Sequence, residues 1–225
     1  MSDDPTSAPT AVVLVSGGLD SCVTAALAAL EHRMAFLHLN YGQRTERREL
    51  QSFSGLAEHY GVKHRLITDV SFMRQIGGSS LVDEAMDIPN GSAQDENPNT
   101  YVPFRNANIL GIAVAWAETL GCSDIFIGAH AAESIYPDCR PEFFAAFNNL
   151  IETGTRPETK IQVKTPLIAL DKQAIVRRGV GLEAPLHLTW SCYEREDLAC
   201  GRCHSCRLRQ AGFERAGIED PVQYA

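Results

Sequence analysis

An unbroken apolar run, Ala11-Val12-Val13-Leu14-Val15, stops at Ser16-Gly17-Gly18-Leu19-Asp20-Ser21, and an Ala- and Leu-rich stretch follows to Leu30. A strand that is apolar at every position has both faces buried, as in a parallel sheet covered by helices on both sides. Glycines at its end let the backbone approach a ligand closely. The start of the next helix offers unpaired N–H groups and the positive end of its dipole. The segment therefore predicts a phosphate loop, with the Ser16 and Ser21 hydroxyls as further donors. It lacks the Lys-Ser or Lys-Thr ending that aims a cation at a γ-phosphate in a Walker loop. A glycine pair alone is equally a plain strand-to-helix turn.

The rest of the chain repeats this alternation. Strands are expected at Met34–Leu39, His64–Val70 and Asp124–Ala129, and helices at Ser21–Leu30, Thr45–Tyr60, Asn106–Leu120 and Pro141–Thr153. Thr45 is the expected N-cap of the second helix, and Gly61 and Gly121 close two of them. The pattern implies an α/β fold with a doubly wound, mainly parallel sheet. Residues 77–103, rich in Gly, Ser, Asn, Pro and acidic side chains, break the periodicity and predict a long loop that is either an active-site element or disordered. Residues 1–10 read as a flexible polar tail, 11–184 as the nucleotide and substrate domain, and 185–225 as a small metal-bound lobe.

The lobe assignment rests on cysteine spacing. Cys200, Cys203 and Cys206 follow one another at intervals of three, with Cys192 upstream. Four thiolates on short turns make a closed tetrahedral site, structural in character. Zinc and an iron–sulfur cluster both suit four thiolates. Of the remaining cysteines, Cys22 and Cys122 read as ordinary buried thiols, while Cys139 reads as a residue packed near a substrate, with a nucleophile as the alternative. An odd total of seven cysteines, three of them clustered, fits a reducing cytoplasm better than a disulfide framework.

Composition narrows the partners. The 225 residues are 44% apolar, enough for one sizeable core, and the formal charge is −8. A chain that grips nucleic-acid backbone is normally basic, so the balance favours small-molecule substrates without direct nucleic-acid binding. No apolar run approaches the roughly 20 residues of a membrane span, and the first ten residues lack the basic and apolar regions of a secretion signal.

The hexapeptide at Ser16–Ser21 resembles the loop of the ATP pyrophosphatases, which cleave ATP between its α and β phosphates (the PP-loop). Further segments make the resemblance more specific. They are Asn40-Tyr41-Gly42-Gln43-Arg44, Tyr101-Val102-Pro103-Phe104-Arg105-Asn106, Tyr136-Pro137-Asp138-Cys139-Arg140-Pro141-Glu142-Phe143, and Thr189-Trp190-Ser191-Cys192-Tyr193 followed by the cysteine cluster and Arg207-Leu208-Arg209. In this order, over roughly residues 12–212, they resemble the 7-cyano-7-deazaguanine synthases of queuosine precursor synthesis. The stretch Ala131–Ile135 is shorter than that resemblance implies, which bears on Glu133 and Ser134.

The resemblance implies an ATP-dependent ligase that converts 7-carboxy-7-deazaguanine and ammonia to 7-cyano-7-deazaguanine through adenylated intermediates. It selects zinc over iron–sulfur for the cysteines and implies a homodimer. ATP falls to Val15, Ser16, Gly17, Gly18, Leu19, Asp20 and Ser21, with Tyr41 and Gln43 beside them. Asp20 reads as assisting Mg²⁺ or capping the helix, and Tyr41 as stacking on a base or simply packing. Arg105 is expected to face the phosphates, while Asn106 is an alternative helix cap. A deazaguanine presents donors on its pyrimidine edge, and Asp138 is the expected acceptor. Its alternative role is turn formation after Pro137. Arg140, with a fork that matches two oxygens, is the expected partner of the substrate carboxylate. His130 reads equally as a satisfied structural histidine.

Three other readings stay open at this level. A tRNA-thiolating adenylating enzyme would need a reactive cysteine and a basic face. A relative could attach a deazaguanine to another macromolecule. A non-catalytic zinc module could retain a dead loop, against which intact Ser16, Asp20 and Ser21 speak.

Overall fold

The computed structural model describes residues 8–89, 99–132 and 136–225. The expectations for the first seven residues, for the middle of the long loop, and for Glu133 and Ser134 lie outside the described residues.

Five strands form one parallel sheet in the order β3-β2-β1-β4-β5. They are β1 (Thr10–Leu14), β2 (Arg33–Asn40), β3 (His64–Asp69), β4 (Asp124–Phe126) and β5 (Gln162–Lys164). The α-helices are α1 (Leu19–Ala28), α2 (Glu46–His59), α3 (Phe72–Ile76), α4 (Arg105–Leu120), α5 (Pro141–Gly154), α6 (Lys172–Gly181) and α7 (His204–Ala216). The alternation of side chains along β1 sorts them into two layers. Val12 and Leu14 face α4 and α5, packing with Leu110, Ala113 and Phe147. Val13 faces the other way, into a cluster with Val23, Phe53, Leu56, Ile175 and Phe213 of α1, α2, α6 and α7. The sheet is doubly wound, as its apolar runs require.

Several boundaries differ from the expectations. Thr10, assigned to the tail, already pairs with Arg33. The fourth strand, expected to reach Ala129, leaves the ladder after Phe126. Ile127 N–H still donates to Lys164 O at 3.1 Å, and the chain then turns toward α1. A Cβ on Gly128 would sit 2.9 Å from the Asp20 carbonyl carbon, so glycine permits this close approach. Thr45 occupies the N-cap position of α2 but makes no cap hydrogen bond. The cap of α4 is Phe104, in a left-handed conformation, in place of Asn106.

The order reverses at β1, whose neighbours β2 and β4 run on through crossovers in opposite directions. The crevice beyond the C-terminal ends of β1 and β4 is therefore the topological switch point, where open α/β sheets bind ligands. The C-terminal segment crosses it. Trp190 N–H donates to Gly17 O at 2.8 Å, Cys192, Cys203 and Cys206 join the α4/α5 core, and Phe213 joins the opposite one.

Candidate active site

A cavity of about 290 Å³ opens at the switch point. Val15, Ser16, Gly18, Leu19, Asp20 and Ser21 form one wall, so the N–H groups of the first turn of α1 border it. The two loop glycines differ in role. Gly17 has φ +86°, and a Cβ there would lie 2.7 Å from Glu49 O, so only glycine lets α2 pack behind the loop. Gly18 is extended, and a Cβ there would meet nothing nearer than 3.4 Å. Ser16 Oγ accepts from Gly18 N–H at 3.3 Å, and Ser21 Oγ–H donates to Gly18 O at 3.0 Å.

Asp20 does not cap α1. Its carboxylate accepts two hydrogen bonds from Lys172 Nζ, at 2.7 and 2.8 Å. His130 Nε2 lies 3.2 Å from that ammonium and 3.5 Å from Asp20 Oδ2. Burial alone would raise the Asp20 pKa, but Lys172 and then His130 outweigh it and hold it below the usual carboxylate range. A buried lysine, paired with Asp20, thus stands beside the loop and lines the cavity. Sequence reasoning does not find Lys172. It is a lone lysine at the start of α6, and its visible signal is the preceding Asp171, which caps that helix by accepting from Ala174 N–H at 2.8 Å.

The opposite wall is aromatic. Tyr41, Tyr136 and Tyr193 line it together with Arg105, which donates to Tyr41 Oη at 3.1 Å and lies 5.2 Å from that ring's centre. Burial raises the Tyr41 pKa to about 12 and Tyr193 well above the ordinary value. Glu49 of α2 also reaches this wall. Burial pushes it up to about 7, against the opposing hydrogen bonds from Thr45 and Gln43.

Four expected site residues do not line this cavity: Gly17, Gln43, Asp138 and Arg140. Gln43 is buried, with Oε1 accepting from Tyr41 N–H at 2.9 Å and Nε2 donating to Glu49 Oε2 at 3.1 Å. Asp138 is buried, accepting from Asn106 N–H at 3.0 Å, while Asn106 Nδ2 donates back to Asp138 O at 2.8 Å. That carboxylate serves the first turn of α4. Arg140 is exposed at the N-cap of α5. Cys139, by contrast, lines the cavity.

The four cysteines converge. Their sulfurs all lie within 4.8 Å of one another, and Cys200 and Cys206 are 3.9 Å apart. A tetrahedron with about 2.3 Å metal–sulfur bonds has edges of about 3.8 Å, so the set fits one ion. Cys192 Sγ accepts N–H bonds from Glu194, Arg195 and Cys200, each at 3.4 Å. Its thiol is held far below the ordinary range, first by the Cys203 and Cys206 thiols and then by backbone N–H groups. Arg202 pairs with Glu194 at 3.0 Å. Arg209, buried, pairs with Asp220 at 2.9 Å and donates to Thr189 Oγ1 at 2.7 Å.

The family model described as "Queuosine biosynthesis protein QueC" matches residues 10–217. The chain belongs to the QueC family. A QueC-type relative from Chloroherpeton thalassium, named 7-cyano-7-deazaguanine synthase, is 52% identical over 95% of this chain and 96% of its own length. A relative of the same name from Acidobacterium capsulatum is 52% identical over 96% of each chain. Among solved structures, the NMN synthetase of Francisella tularensis aligns at 13% identity with a TM-score of 0.47, over 96% of this chain and 80% of that one. The QueC match takes in the phosphate loop, Lys172, the tyrosine wall and all four clustered cysteines.

Proposed function

We propose that this chain makes 7-cyano-7-deazaguanine from 7-carboxy-7-deazaguanine, ammonia and ATP with Mg²⁺, as a cytoplasmic homodimer carrying one structural zinc ion. The observation that carries the reading is one cavity that joins a phosphate loop to a tyrosine wall, in a chain 52% identical to relatives of that name. Among the described residues, no helix is long and apolar enough to cross a membrane.

The chemistry needs a leaving group. A carboxylate oxygen attacks the α-phosphorus of ATP, pyrophosphate departs, and the substrate carries AMP. Ammonia attacks the acyl carbon, AMP leaves with that oxygen, and loss of a proton gives the amide. Adenylation of the amide oxygen, then loss of AMP and the two amide protons, gives the nitrile. In this reading the first turn of α1 and Lys172 bind the departing pyrophosphate, and Asp20 holds Lys172 in position; their shared cavity and the Lys172–Asp20 pair support it. Arg105 faces the cavity from the other wall, where a phosphate or carboxylate oxygen would meet its fork. Cys192, Cys200, Cys203 and Cys206 would hold the zinc as a structural ion, fastening the segment that brings Trp190 and Tyr193 to the cavity.

The test is mass spectrometry of the products formed from ATP, ammonia and 7-carboxy-7-deazaguanine. A nitrile product supports the reading, and absence of any deazaguanine product refutes it. Sedimentation equilibrium addresses assembly separately: a monomer at micromolar concentration would remove the homodimer.

A further inference from the structure

Building on that proposed function, we infer that Glu49 is the carboxylate that reads the pyrimidine edge of the bound deazaguanine. Asp138, the acceptor expected from sequence, accepts from Asn106 N–H in the first turn of α4 and does not line the cavity. Among the described residues, two acidic side chains line it, Asp20 and Glu49. Asp20 is engaged by Lys172 at 2.7 Å on the phosphate side. Glu49, which acts on Tyr41, is the carboxylate on the tyrosine side among the described residues.

Its geometry suits the task. A carboxylate offers about four acceptor positions. Glu49 spends one on the Thr45 hydroxyl at 2.9 Å and one on Gln43 Nε2 at 3.1 Å. Each oxygen therefore keeps acceptor capacity while its direction is fixed. Gln43 also holds the Tyr41 backbone, so the carboxylate and the neighbouring ring are set by one side chain. A deazaguanine brings two adjacent donors, the ring N–H and the exocyclic amino group, and a carboxylate accepts both. An adenine edge would turn a lone pair toward the same oxygens. The contact thus selects guanine-like bases and keeps the adenine of ATP out of the substrate position. Burial pushes Glu49 up to about 7, so paired donors from a ligand would favour its ionised form.

The test compares kcat/KM for 7-carboxy-7-deazaguanine and its 2-deamino analogue in the native chain, Glu49→Gln and Glu49→Asp. A site that must leave a buried acceptor unpaired discriminates strongly, so a native preference of about 100-fold or more for the amino substrate is expected. Glu49→Gln should lose most of that preference while the KM for ATP changes by less than about threefold. If Glu49→Gln fails to fold, Glu49→Asp, with its shorter reach, carries the test and should lose at least about tenfold of the preference. An unchanged preference in the folded variant overturns the inference. So does a native enzyme that turns over the substrate but ignores the 2-amino group. A native chain with no turnover at all refutes the functional reading first, and this inference with it.

Discussion

The two carboxylates of the cavity are tuned in opposite directions by their neighbours. Asp20 has a buried ammonium against it and stays ionised. Removing its charge leaves Lys172, itself only 8% exposed, without its closest countercharge. Asp20→Asn should therefore cut turnover by about 100-fold and cost about 2 kcal/mol of stability, discounted because Asp20 is partly exposed. Steady-state kinetics beside urea unfolding checks both, and near-normal turnover would reduce the pair to scaffolding. Glu49 is held between Thr45 and Gln43, with Arg105, Tyr41 and Glu46 as the other charged or titratable groups acting on it. Its folded pKa, about 7, lies above its ordinary 4.5. The folded state thus retains a proton that the unfolded chain releases between those values. The stability this confers is fully present below pH 4.5 and is lost as pH rises through about 7, an upper bound of about 3 kcal/mol. Glu49→Gln does not titrate, so its stability relative to the native chain should improve on going from pH 5 to pH 8. Denaturant unfolding at both values reads this, and a constant difference would mean that Glu49 ionises as an exposed carboxylate does.

At the level of elements, long apolar patterns are legible in the sequence and short ones are not. The helices over residues 46–59, 105–120 and 141–154 carry clear apolar faces, and the sequence places each within two residues. β5 is hidden because three residues hold no period, and α6 because Lys172–Gly181 carries three basic residues and two glycines. The role of Asp138 is hidden for a related reason. The spacing Tyr-Pro-Asp-Cys-Arg says nothing about Asn106, thirty-two residues earlier, whose N–H donates to its carboxylate. The cysteine segment is legible because metal ligation imposes a spacing of its own. On the proposed zinc assignment, the native chain should carry one zinc, and Cys203→Ser should bring it to substoichiometric levels and lower the melting temperature, with activity lost indirectly. Metal analysis beside thermal unfolding decides it, and full zinc content in Cys203→Ser would refute the assignment.

For the whole molecule, the strand order does what no local pattern reveals. It brings the ends of β1 and β4 together, so that residues far apart in sequence, Asp20, His130 and Lys172, meet beside one loop. The C-terminal segment then closes the crevice through Trp190 and Tyr193. Phosphate loop and aromatic wall thus face one volume, which is what direct transfer between ATP and a bound deazaguanine carboxylate requires. The most direct test follows the oxygen atoms. With both carboxylate oxygens of 7-carboxy-7-deazaguanine labelled as oxygen-18, each oxygen should end in the phosphate of AMP, one label per AMP molecule released. Label appearing instead in inorganic phosphate or water, with none in AMP, would contradict adenylation as the route to the nitrile.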